Sequence, residues 1–251
     1  HCLKARKLAG KDIRTHSSAI VDDIMLIDVS PTFSYQLMRD GMDATHFESL
    51  LFTHTHPDHF NVGELFSRME GYGFEINHPL HIFGNDRAIN GCIEVLPGYT
   101  KERFAFHCLI PFVTVERNGY KITPLLANHA KWELCYVYHI EKDGKAIFYG
   151  HDSGWFPELT WQWLENKPLD IVVFECTYGL NGKDRTDNHM SLETVFAAKE
   201  KLQQQGCLHQ ATQIVVSHIS HSGKLLHHEL ETVCAPHHIR VAYDGLTLET
   251  N

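Results

Sequence analysis

The chain has 251 residues, 43% of them hydrophobic, enough to bury one substantial core, and its even composition reads as a single domain, 1–251. A formal net charge of -9 disfavours long nucleic acid and anionic membranes as nonspecific partners. No run approaches the roughly 20 apolar residues that cross a bilayer, and no signal peptide opens the chain, so no membrane association is expected.

Because the chain opens on His1 rather than Met, a segment upstream is expected. Strands are predicted at 18–21 and 25–28, a helix at 62–69 and a strand at 80–83. Asn118-Gly119 and Asp143-Gly144 are hairpin signals, joining 112–116 to 120–126 and 135–140 to 146–149 as an antiparallel set. The second half alternates: helix 157–165, strand 170–174, helix 192–205 capped by Ser191, strand 213–216, helix 224–234, and a closing strand pair 240–243 and 246–248. This pattern gives a layered α/β or α+β domain. Trp161 and Trp163 lie two apart on a helix, so at most one faces the core; the other marks a pocket rim or a homodimer contact. The seven cysteines are odd in number and lack a Cys-x-x-Cys pair, which suits a reducing cytoplasm.

The most informative segment is Thr53-His54-Thr55-His56-Pro57-Asp58-His59, directly after the apolar run 49–52. In an extended chain His54 and His56 point to the same side, while Asp58 and His59 follow the Pro57 bend and reach a second centre. A mixed nitrogen and oxygen donor set suits zinc, manganese, iron or nickel better than magnesium or calcium. Further candidate ligands, His129, Asp152 and His218, each lie just past a predicted strand, where a rigid scaffold hands over to functional loops.

This segment, followed in order by His129, Asp152 and His218, resembles the metallo-β-lactamase superfamily of binuclear hydrolases. Within it, residues 126–131, Asp187-Asn188-His189 and 217–221 look like the phosphodiesterase that accompanies the carbon-phosphorus lyase pathway. The resemblance implies a four-layer αββα sandwich of two mixed sheets flanked by helices, preceded by a strand upstream of His1. It implies two divalent transition metals, one on His54, His56 and His129, the other on Asp58, His59 and His218, with Asp152 bridging. A bridging carboxylate holds such cations about 3.5–4 Å apart, and the water between them loses a proton near neutral pH to become the nucleophile.

The same resemblance assigns His189 as general acid for the departing alkoxide, a role suited to an imidazole near neutral pH. Lys131, Ser153, Lys183 and Arg185 are near ligand segments and are candidates for substrate phosphate. In the resembling branch, a Cys-rich segment ahead of Ala-Arg joins a His beyond the last ligand in a structural zinc. Cys2 before Ala5-Arg6 and His221 match half of that set, with the rest expected upstream. Cys176 is expected to be a buried structural thiol. His209, His227, His228, His237 and His238 are expected on surfaces without partners.

The resulting expectation is a hydrolase of a small, cyclic phosphodiester. The competing readings are a glyoxalase-type thioester hydrolase, a transfer-RNA processing nuclease and an antibiotic-hydrolysing lactamase. A non-enzymatic metal-binding protein on the same fold is the further alternative. The thioesterase gives His189 no role, the nuclease calls for a basic RNA-gripping arm, and the common lactamase places Cys where Asp152 stands.

Overall fold

The computed structural model describes residues 1–96, 102–182 and 186–250. The chain divides into two compact units, Thr15–Ile110 and His1–Arg14 with Pro111–Asn251. Each has its own sheet and core.

In chain order the larger unit begins with helix α1 (Cys2–Leu8). The smaller unit then carries β1 (Ala19–Val21), β2 (Met25–Ile27), α2 (Phe33–Asp40), β3 (Ser49–Leu51), β4 (Leu80–Gly84), α3 (Asp86–Val95) and β5 (Phe104–Cys108). Its sheet runs β1-β2-β3-β4-β5, with β1 antiparallel to β2 and every later pair parallel. The middle strands are apolar at successive positions: Leu26, Leu50 and Ile82 pack with Phe33, Leu37, Ala88 and Cys92 from the two helices. Burial pushes the Cys92 thiol up to about 12, so it stays protonated. Parallel β2 and β3 end on the same side, which brings Asp28 and the Thr53–His59 loop together.

The larger unit continues with β6 (Val115–Arg117), β7 (Tyr120–Leu126), β8 (Tyr136–Lys142), β9 (Lys145–Gly150), α4 (Glu158–Leu164), β10 (Leu169–Glu175), α5 (Leu192–Gln204), β11 (Leu208–Ser217), α6 (His227–Cys234) and β12 (Ile239–Val241). The sheet order is β12-β11-β10-β9-β8-β7-β6. Strands β6 to β9 form an antiparallel meander, and β9 to β12 are parallel. Since β7 and β9 are each antiparallel to β8, β7 runs the same way as β9, β10 and β11. Four C-terminal strand ends therefore lie along one sheet edge; His129, Asp152 and His218 follow three of them, and Glu175 ends the fourth. Val137, Phe148, Val172, Phe174 and Val216 form the sheet side of a core completed by Trp161, Val195, Leu202 and Leu230.

Both hairpins form where Asn118-Gly119 and Asp143-Gly144 predict them. Ser191 caps α5, its Oγ accepting the Thr194 amide at 3.3 Å. Trp161 is buried and Trp163 half-buried. Three expectations are corrected, and further elements appear. Residues Val62–Arg68 form a 3-10 helix rather than an α-helix. Helices α2 and α3 went unforeseen, although Gly41 (φ 66) ends one and the Asn85 side chain caps the other. The segment 246–248 makes no strand; Leu246 instead closes a turn on Tyr243. His227 is buried, not a surface residue: Arg14 donates to its Nδ1 at 2.9 Å, and its Nε2 donates to Glu231 at 2.9 Å. These bonds help tie residues 1–14 to α6, and burial lowers the His227 pKa, which keeps the ring neutral.

Candidate metal centre

The smaller unit carries a compact His/Asp loop. His54 and His56 stand with ring centroids 4.5 Å apart, and His54 and His59 at 4.6 Å. A turn after His56, closed by the His59 amide on the His56 carbonyl at 3.0 Å, brings Asp58 Oδ2 to 3.4 Å from His59 Nε2. The loop rests on the buried Asp28. Its Oδ2 accepts from His59 Nδ1 and Thr53 Oγ1, each at 2.8 Å, and its Oδ1 accepts the Thr53 amide at 2.8 Å. His54 Nδ1 in turn donates to Thr53 Oγ1 at 3.0 Å. Asp28 holds φ at 61°, a backbone cost that the surrounding bonds sustain.

The larger unit supplies a second set. Asp152, 2% exposed, directs its two oxygens at different imidazoles: Oδ2 lies 3.7 Å from His129 Nε2 and Oδ1 lies 3.2 Å from His218 Nε2. His129 Nδ1 donates to the Asn188 carbonyl at 2.8 Å, and His218 Nδ1 donates to Thr177 Oγ1 at 2.7 Å. Asp152 and His218 both have φ of 50°, the left-handed region that non-glycine residues enter only under constraint. Gly154 permits the next turn: a Cβ there would sit 2.2 Å from the Thr186 carbonyl oxygen.

His189 stands beside this set. Its Nδ1 is 2.7 Å from Oε1 of the fully buried Glu175 and 3.9 Å from Asp152 Oδ1. Its ring meets His129 edge-on at 4.8 Å and stacks with His218 at 5.6 Å. Glu175 accepts the Thr177 amide through its other oxygen at 2.9 Å, so both carboxylate oxygens have donors. A carboxylate accepts only, so Nδ1 carries the proton facing Glu175 and Nε2 is left for proton transfer.

The donor chemistry fits divalent transition metals. In His54, His59, His129 and His218 alike, Nδ1 bonds to a protein oxygen, which fixes the tautomer and presents Nε2. The chain thus carries His/Asp clusters compatible with divalent metal binding.

Other predicted residues fall elsewhere. Lys131 is exposed on the loop after His129. Ser153 is fully buried, its hydroxyl accepting the Asn128 amide at 2.9 Å, which supports the His129 loop from within. Lys183 and Arg185 lie outside the described residues. Cys2 is exposed at the start of α1, His221 is exposed in a 3-10 turn, and neither joins a metal-compatible cluster among the described residues. Cys176 is buried, and burial together with Glu175 raises its pKa, in keeping with a structural thiol. Sequence reasoning missed Asp28, Glu175 and Thr177 as supports. Asp28 and Glu175 do lie at the ends of apolar runs, near where the candidate ligands lie.

The sequence profile of the beta-lactamase superfamily domain matches residues 24–219, most of the chain. The chain belongs to this superfamily. A solved structure named as a metallo hydrolase shares the fold, and the two mixed sheets with helices seen here are of the expected α/β class. Among solved structures, a diphosphatase of the PhnP family is 24% identical, covering 96% of this chain and 87% of its own, with a TM-score of 0.72. Zn(2+)-bound PqqB from Methylobacterium extorquens is 17% identical over 99% of this chain and 92% of its own, at 0.73. The short form of human tRNase Z is 14% identical over 94% and 93%, at 0.68. At these identities the likeness is one of fold. A comparison with curated proteins gave no match. Among the described residues, no helix is long and apolar enough to cross a membrane.

Proposed function

We propose that the chain is a binuclear metal-dependent hydrolase that cleaves a small, cyclic phosphodiester, with His189 as general acid. The residues that would hold the cations are those the resemblance assigns: His54, His56, Asp58, His59, His129, Asp152 and His218. The observation that carries it is the placement of His189, held by Glu175 at 2.7 Å and edge-on to the ligand His129 at 4.8 Å. When bound, zinc or manganese ions would supply Lewis acidity toward a phosphoryl oxygen and toward the attacking water.

The chain's own residues do the rest. Asp28, Thr53, Asn188 and Thr177 fix the imidazoles before any cation arrives, so little reorganisation remains. Glu175 turns the His189 ring so that Nε2 faces the leaving oxygen, to which it gives a proton as the phosphorus–oxygen bond breaks. A thioester has a thiolate leaving group that needs no such proton, so the Glu175–His189 pair favours an alkoxide. The seven cysteines are free, which supports a reducing compartment such as the cytoplasm.

The test is a substrate panel with metal-loaded protein: cyclic nucleotides, cyclic ribose phosphates, aryl phosphodiesters, a phosphoanhydride and thioesters. Turnover of cyclic phosphodiesters above the others is expected. Turnover of thioesters alone would reject the proposal.

A further inference from the structure

Glu175, His189 and His218 form a third group of potential ligands whose donor atoms all lie within 4.8 Å of one another. His218 Nε2 is engaged at Asp152, 3.2 Å away, so only Glu175 and His189 are left as full ligands. We propose that this pair is a low-affinity, inhibitory binding site for a divalent transition metal such as zinc, filled when the cation is in excess. The proposal rests on His189 being the general acid.

The chemistry of the pair suits such a cation. Glu175 Oε1 and His189 Nδ1 are an anionic oxygen and an imidazole nitrogen, both ordinary zinc donors. They stand 2.7 Å apart, whereas two donors on one tetrahedral zinc with bonds of about 2.0–2.2 Å sit roughly 3.3 Å apart. A backward step of about half an ångström by the His189 ring accommodates the ion, since bond lengths of this kind leave only that mismatch. The His189 side chain is 16% exposed, so one side of the group borders solvent. Thr177 Oγ1, 3.3 Å from the same nitrogen, is already at the required spacing for a weak further ligand.

Two strong protein ligands are fewer than the three or more at a catalytic cation, which is why the site would fill last. A cation on Nδ1 replaces the proton that bonds Glu175 and pulls the ring out of register with the leaving oxygen. Excess metal then removes the same function that His189→Ala removes.

Metal equivalents per chain, counted by atomic emission after dialysis against rising free zinc, decide the matter alongside turnover. Wild-type protein should pass from two equivalents to three as turnover of an alkyl or cyclic diester falls at least about 100-fold, the lower end of what general-acid catalysis contributes. An activated aryl diester should lose much less. Glu175→Gln and His189→Ala should each stop at two equivalents. A wild-type count that stays at two while turnover falls, a third equivalent that persists in both variants, or a third equivalent that leaves turnover intact would overturn the site. If no phosphodiester is turned over at two equivalents, the functional reading fails, and the count alone still decides whether the third cation binds.

Discussion

The fully buried Glu175 carboxylate holds His189 by a single contact, Oε1 to Nδ1 at 2.7 Å. A ring anchored at one nitrogen presents the other in a fixed direction, the arrangement by which enzymes orient an imidazole for proton transfer. Glu175→Gln keeps the size of the side chain but weakens the charge-assisted bond. We expect it to lower kcat for alkyl and cyclic phosphodiesters by about 10–100-fold, the range found when the outer support of a catalytic group is removed, while leaving metal content unchanged at limiting zinc. Steady-state kinetics with metal analysis on the same samples checks both.

Thr177 is predicted to govern cation affinity through His218. Its hydroxyl accepts from His218 Nδ1 at 2.7 Å and so helps present Nε2. Thr177→Val should weaken the cation that uses His218 by about 10–100-fold, whereas Thr177→Ser, which keeps the hydroxyl, should stay near wild type. Competition against a chromophoric chelator measures the difference. Equal affinities for Val and wild type would show that His218 needs no such support.

Asp28 should matter for folding as well as for metal. Three donors converge on its buried carboxylate: His59 Nδ1, Thr53 Oγ1 and the Thr53 amide. Asp28→Ala leaves them without an acceptor, at about 1–3 kcal/mol for each buried group left unsatisfied. A lowered Tm in metal-free protein, together with loss of metal content, is expected. Unchanged Tm would mean that water replaces the carboxylate.

Stability should depend on acid through His139. This residue of β8 is 5% exposed and packs edge-on against Trp163, with ring centroids 5.1 Å apart. Burial lowers its pKa from 6.5 to about 4. The folded state therefore takes up a proton less readily than the unfolded one. Its contribution is fully present above pH 6.5 and falls away as pH drops from about 6.5 toward about 4, with no further loss below that. The linkage amounts to roughly 3 kcal/mol at most. Denaturant unfolding at pH 7 and pH 5 should show a steeper loss for wild type than for His139→Phe.

How much of this was legible in the sequence depended on how local the signal was. The Thr53–His59 loop could be read as a candidate site because its His and Asp residues are nearly contiguous and follow an apolar strand. His129, Asp152 and His218 could be read because each follows a strand, and the parallel direction of β7, β9, β10 and β11 puts those strand ends on one edge. Asp28 and Glu175 follow the same rule but were passed over, since a lone carboxylate at a strand end carries no spacing pattern. Thr177 and Asn188 act through a hydroxyl and a backbone carbonyl, which no residue pattern marks. Helix α2 buries only Phe33 and Leu37, too short an apolar stripe to stand out. The fate of 246–248 depended on whether a neighbouring strand was available, which alternation of Leu246 and Leu248 cannot say. His227 is held by Arg14, 213 positions away, a pairing that no local pattern marks.

The most direct test of the central claim compares an alkyl or cyclic phosphodiester with an activated aryl phosphodiester in wild-type and His189→Ala protein of equal metal content. An aryl leaving group departs as a weakly basic phenolate and needs little protonation, whereas an alkoxide depends on it. The account predicts a loss of about 10²–10⁴-fold in kcat/KM for the alkyl or cyclic substrate and a much smaller loss for the aryl one. Equal losses would assign His189 to binding or folding, and no loss with either substrate would contradict the account.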